Sequence, residues 1–127
     1  MCIRDSYEGQ AAIELEAVAD PGETGAYPLP LGGAESSGAP LVIDPRPAVR
    51  DVVRDVERGI PAPRVSARFH NALAVATATG CEIAAARSGV DTVVLSGGVF
   101  QNRLLLRRTA DLLRDAGLRV LLSLIHI

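Results

Sequence analysis

The stretch TVVLSGGVFQN, Thr92 to Asn102, and the residues after it leave this chain few choices of fold. Asp91 to Leu95, which ends in the unbroken apolar run Val93 to Leu95, reads as a strand buried on both faces. From Asn102 to Ala116, Leu105, Leu106, Ala110, Leu112 and Leu113 recur at helical spacing, with Arg103, Arg107, Arg108, Asp111, Arg114 and Asp115 on the opposite face. Gly117 then punctuates the chain, and Leu118 to Leu121 reads as a second buried strand. Strand, helix and strand in this order form a crossover unit whose strands run parallel. The fold class is α/β, a small sheet with a parallel βαβ unit packed by helices.

With 127 residues the chain has room for one modest domain or a piece of one. Aromatic residues make up only 3 %, so the core must be built from Ala, Val, Leu and Ile at close range. A net charge of -2 and a pI near 5.6 offer no basic surface for a phosphate backbone, which argues against nucleic acid. Cys2 and Cys81 are the two cysteines; they stand far apart, in no metal-binding spacing, as suits a reducing cytoplasm. No run reaches the roughly 18 apolar residues that a membrane span needs, and no secretory leader is visible.

Upstream, EGQAAIELEAVA places Ala12, Leu15 and Ala19 at helical spacing beside Ala11 and Val18, and Asp20-Pro21-Gly22 ends that helix. The Gly-, Pro- and Ser-rich stretch after it suits a loose surface hairpin, with Leu41 to Ile43 as its pairing strand. In DPRPAVRDVVRDVERG, Asp44 caps a helix whose apolar stripe is Val49, Val52, Val53 and Val56, and Gly59 closes it. A longer helix follows, with Val65, Phe69, Ala72, Leu73, Ala76, Gly80, Ile83 and Ala84 in period and Gly89 past its end.

Ligands of open parallel sheets collect beyond the carboxyl ends of the strands, where Ser96, Gly97 and Gly98 stand. Glycines without Cβ atoms let a flat or anionic ligand approach the backbone closely, although any tight strand-to-helix turn also favours them. The motif is neither a Walker A loop nor a dinucleotide fingerprint. Asn102 suits either a helix cap or a ligand contact. Glu8, Gly9 and Gln10 open the first helix, where an acid is favoured by the helix dipole and is also able to bind a hydroxyl or a cation. His70 lacks a second ligand at helical spacing and reads as a satisfied helix residue; Cys81 reads as a small packing residue rather than a nucleophile.

In that order, SYEGQAAIELEAVA, ARFHNALA and VVLSGGVFQNRLLL resemble the C-terminal domain of the hydrogenase maturation carbamoyltransferases, the HypF family. The resemblance implies a partial lobe of the actin-like/sugar-kinase/Hsp70 ATPase fold. It implies an enzyme that uses carbamoyl phosphate and ATP to make a carbamoyl adenylate and carbamoylates the C-terminal cysteine of its partner HypE. That product is the precursor of the cyanide ligand of [NiFe]-hydrogenase. On this resemblance Ser96, Gly97, Gly98 and Asn102 form the adenosine loop, and Glu8, Gly9 and Gln10 lie near the cleft, facing ribose, phosphate or carbamoyl group.

The family's divalent-metal histidines precede SYEGQ and its NDGG-type Asp follows Leu121, so this chain is expected to carry no metal ligand or catalytic residue and to be inactive alone. The family's acylphosphatase-like domain, zinc-finger-like motifs and adenylate-forming domain would also lie outside it. A tRNA threonylcarbamoyladenosine-modifying protein shares the fold but carries a SGGVAAN-like loop, from which Phe100 and Gln101 depart. A nucleotide-binding module without catalysis is the remaining alternative. The ends MCIRDS and LSLIHI resemble translated sequencing adapter, so residues 1–6 and 123–127 are expected to be non-native and 7–122 to be the domain fragment.

Overall fold

The middle of one long helix sets the positions of everything else. The computed structural model describes residues 9–35 and 38–123. In chain order these form α1 (Gln10–Val18), the strands β1 (Leu31–Gly32) and β2 (Val42–Ile43), α2 (Arg46–Glu57) and the long α3 (Ala62–Ser88). There follow β3 (Thr92–Leu95), a 3-10 turn (Gly98–Gln101), α4 (Arg103–Asp115) and β4 (Arg119–Leu122). Ala67, Ala72, Ala74, Ala76 and Ala78 are all buried along α3, and side chains this small let neighbouring backbones come close.

β3 and β4 pair in parallel, Thr92 opposite Arg119 through Leu95 opposite Leu122, which is the βαβ unit that the periodicity predicts. The strands are not buried on both faces as expected, since α4 and α3 cover one face and Val94, Leu121 and Leu122 remain 57 %, 51 % and 48 % exposed. α4 closes over it. Leu95, Ala110 and Leu113 form a buried cluster with Ala78 of α3, bordered by Val93, Phe100, Leu106 and Val120. The hairpin is present as well, two short antiparallel strands with Leu31 opposite Ile43. A second cluster gathers Tyr27, Ala48, Val65 and Ala72 against Leu29, Val52, Ile60 and Phe69. Among the described residues no helix is long and apolar enough to cross a membrane.

Two amphipathic stripes are less buried than their spacing suggests. On α2, Val52 is half-buried, but Val49, Val53 and Val56 remain 58 %, 51 % and 61 % exposed. α1 has no buried residue. Periodicity identifies the residues that share a face and is silent on what covers it; the apolar contact of α2 with the core around α3 runs through Ala48 and Val52. The uncovered edge borders an apolar groove of about 260 Å³ between α1, α2 and α3. The N-cap of α2 is Pro45 rather than Asp44, because Pro45 supplies the first helical carbonyl, to Val49; Asp44 sits one residue earlier and accepts from the Arg46 amide at 3.0 Å.

A charged clamp fastens the loop after α1 to α3. Arg68 lies between Glu23, at 3.3 Å, and Asp55, at 2.8 Å, and Tyr27 donates its hydroxyl to the same Asp55 oxygen at 2.8 Å. Asn71 donates to the carbonyls of Glu23 and Gly25, at 3.1 and 2.8 Å. The Gly25 amide and the Arg64 guanidinium on Glu23 hold its carboxyl down at about 2. Burial and the Asp55 contact push the Tyr27 phenol up to about 12.

A carboxyl held below its ordinary value of 4.5 stabilises the fold above that pH, and the gain is lost as pH falls towards 2. Thermal melts from pH 7 to pH 2.5 are expected to show a steep loss below about pH 4.5. Glu23→Gln should melt lower at pH 7 and lose less across the acid window; parallel curves for the two proteins would count against the clamp. Leu113→Ala, which empties a fully buried site, is expected to cost about 2–5 kcal/mol by urea unfolding.

Candidate functional site: the glycine turn and the start of α4

β3 ends at the buried Leu95, and the chain then surfaces at Ser96. Gly97 adopts φ 92° and ψ 172°, a region that only glycine enters without strain. Gly98 has ordinary φ, and a Cβ built on either glycine meets no atom within 4 Å. The glycines therefore face open space. The turn is held from inside, by the Phe100 amide on the Gly97 carbonyl and the Asn102 amide on the Val99 carbonyl, both at 3.2 Å. Phe100 adds an apolar anchor against the cluster around Leu95 and Leu113.

Asn102 uses both ends of its amide. Its oxygen accepts from the Leu105 amide at 3.0 Å, the cap anticipated for this residue type. Its nitrogen lies 2.8 Å from Nε2 of His70, which is 2 % exposed. The other ring nitrogen, Nδ1, is 2.8 Å from the carbonyl oxygen of Ser66. A carbonyl only accepts, so Nδ1 carries the proton and Nε2 receives the Asn102 hydrogen. The Ser66 hydroxyl in turn donates to the Leu15 carbonyl of α1.

α1 also reaches α4 directly. One carboxylate oxygen of Glu16 accepts from the amides of Arg103 and Leu104, at 2.9 and 3.4 Å. A carboxylate is well placed against the positive end of the helix dipole. With Glu16 and Asn102 in position, the amides of Arg103, Leu104 and Leu105 all have acceptors within the chain. The start of α4 is thus already supplied with an anion, and the side of the turn left open to a visitor is the glycine side.

Glu8 lies outside the described residues. Gly9 is the left-handed residue that precedes α1, at φ 76°, and Gln10 donates to Glu14 at 2.8 Å. Leu15 and Glu16 are the α1 residues that meet α3 and α4; Gln10 lies about 9 Å back along the helix axis from Glu16. Among the described residues no group of three or more His, Cys, Asp or Glu is placed to hold a metal ion. Burial pushes the Cys81 thiol up, away from thiolate reactivity.

Sequence reasoning passed over Ser66 and Glu16 and treated His70 as satisfied without identifying its partner. The available signal was local: Ser66, His70 and Asn71 interrupt a helix face of otherwise small apolar residues. Asn102→Ala removes the cap and leaves His70 Nε2 without its donor. It is expected to cost about 1–2 kcal/mol in urea unfolding, and no measurable change would show the cap to be dispensable.

The chain matches the family described as "Carbamoyltransferase, Kae1-like Domain, second subdomain" over residues 1–125. It is 36 % identical over 113 residues to the carbamoyltransferase HypF of Synechocystis sp., covering 88 % of this chain and 14 % of that protein. It is 36 % identical over 118 residues to HypF of Rhodobacter capsulatus, covering 91 % of this chain and 14 % of that protein. A crystal structure of full-length HypF in the phosphate- and nucleotide-bound form superposes with a TM-score of 0.84 at 34 % identity, covering 94 % of this chain and 15 % of the solved one. The mixed α/β architecture and the matched sequence together place the chain in the carbamoyltransferase family, as the second subdomain of its Kae1-like domain.

Proposed function

We propose that this chain supplies the nucleoside-facing wall of an ATP-dependent carbamoyltransferase. In this reading the whole protein converts carbamoyl phosphate and ATP into a carbamoyl adenylate and passes the carbamoyl group to the C-terminal cysteine thiol of HypE. The reading draws on the carbamoyltransferase activity of the relatives and on the phosphate- and nucleotide-bound state of the solved one. The chain spans 14 % of the length of those relatives, so the chemistry belongs to the longer protein.

The observation that carries the nucleoside assignment is the occupied start of α4. A phosphate seeks free amides at a helix N-terminus, and here Glu16 and Asn102 already accept from them. A fixed carboxylate at that point repels a triphosphate. The half-buried Gly97 and the exposed Gly98, without side chains, suit the uncharged face of an adenosine, with Ser96 and Asn102 at its edges. Glu8, Gly9 and Gln10 are assigned to the cleft side, towards ribose, phosphate or carbamoyl group. The described residues supply no set of ligands for a divalent metal. Nothing in this reading calls for nucleic acid or a membrane, and the reaction is assigned to the cytoplasm.

Phe100 favours this reading over the threonylcarbamoyl one, because it fills space between β3 and α4 that a small residue would leave empty. Calorimetric titration of the chain with ATP and with adenosine tests the assignment. Both are expected to bind, and Gly98→Val is expected to weaken both by about tenfold or more without lowering the melting temperature, since its Cβ meets no protein atom. Unchanged binding by Gly98→Val would remove the turn as the contact. A chimera carrying this chain in the Synechocystis protein should lose ATP–pyrophosphate exchange with the same substitution.

A further inference from the structure

We infer that His70 is a positioning residue, which aligns the Ser96–Asn102 turn for its ligand by fixing the orientation of the Asn102 amide. The nature of that ligand rests on the nucleotide reading above; the alignment itself does not.

The geometry permits only one arrangement. Ser66 is fully buried, and its carbonyl lies against Nδ1 of His70 at 2.8 Å, which obliges Nδ1 to be the donor and leaves Nε2 as a lone pair. A lone pair at 2.8 Å from Asn102 demands the NH2 end of that amide. Asn102 then has its oxygen, and only its oxygen, available to the Leu105 amide. If the amide turned over, oxygen would face lone pair and NH2 would face N–H, two repulsive contacts in a partly buried place. His70 therefore selects the orientation in which Asn102 caps α4.

The consequence reaches the glycines through the chain. Asn102 is the residue that closes the 3-10 turn, its own amide on the Val99 carbonyl. Upstream the turn is fixed by the buried Leu95, downstream by Asn102, and in between the Phe100 side chain and the Gly97 carbonyl help to hold it. With the Asn102 side chain free to rotate, the tie from α3 to the downstream end of the turn is lost and the backbone bonds of Asn102 to Val99 and Leu106 are left to hold it, while α3 and the sheet remain packed. An apolar residue at 70 fills the same buried space and supplies none of this, which separates the role from simple packing.

Two substitutions at position 70 separate acceptor from bulk. His70→Gln places an amide oxygen near the site of Nε2 and keeps the bond from Asn102. His70→Asn retains a donor for the Ser66 carbonyl but is too short to reach Asn102. The first readout is amide hydrogen exchange in the ligand-free chain. Exchange at Asn102–Leu105 is expected to quicken about tenfold or more in His70→Asn, relative to Leu113, and to stay within about threefold of wild type in His70→Gln. The second is ATP affinity, which should fall about tenfold or more in His70→Asn and hold within about threefold in His70→Gln.

Asn102→Ser supplies the same test without disturbing α3: its hydroxyl still accepts from the Leu105 amide as a helix cap but is too short to reach His70 Nε2. Local quickening of exchange in Asn102→Ser supports the inference even where His70→Asn fails to fold. Wild-type exchange in Asn102→Ser, or His70→Gln as impaired as His70→Asn, would overturn it. A wild-type chain that binds no ATP while the exchange contrast persists would sink the nucleotide reading and leave the alignment standing.

Discussion

Three polar side chains buried in an alanine-rich helix fix the registry of this fold. Apolar packing brings α1, the loop after it and α4 close to α3, but alanine surfaces are smooth and allow sliding. Ser66, His70 and Asn71 lie within one and a half turns of α3, and each has its partner on a different segment. Ser66 meets the Leu15 carbonyl, His70 meets Asn102, and Asn71 meets the carbonyls of Glu23 and Gly25. A buried polar group without a partner is expensive, so a shift of any of the three neighbours is penalised separately.

The local signals were legible because they need few residues to be read. The parallel βαβ unit, the ends of α2 and α3 at Gly59 and Gly89, and the hairpin follow from spacing and turn residues alone. The contacts that shape the candidate site do not. Glu16 and Arg103 are 87 positions apart, and His70 and Asn102 are 32 apart. Nothing in the neighbourhood of Glu16 announces that it will sit against a helix end far along the chain. The exposed valines of α2 belong to the same difficulty, since periodicity describes a face and only tertiary structure decides whether another element covers it.

Glu16 also changes the reading of a familiar arrangement. A glycine turn between a strand and a helix is usually read as a phosphate cradle. Here an internal carboxylate has been placed where the phosphate would go, held by the Arg103 and Leu104 amides. The same backbone geometry is thereby turned from attracting anions to discouraging them. The charge belongs to α1, so the character of the turn depends on a helix that has no buried residue of its own.

The glycine doublet is less redundant than it looks. Gly97 sits at φ 92° and ψ 172°, where a side chain strains the backbone by about 1–3 kcal/mol, so its identity is imposed by the path of the chain. Gly98 is under no such obligation; its φ is ordinary and the space beside it is empty. Two identical letters thus answer to different pressures. Drift at the first is resisted by foldability, whereas drift at the second is resisted only by whatever must come close to it. In a lineage that kept the fold and abandoned the ligand, the second glycine would be the first to erode.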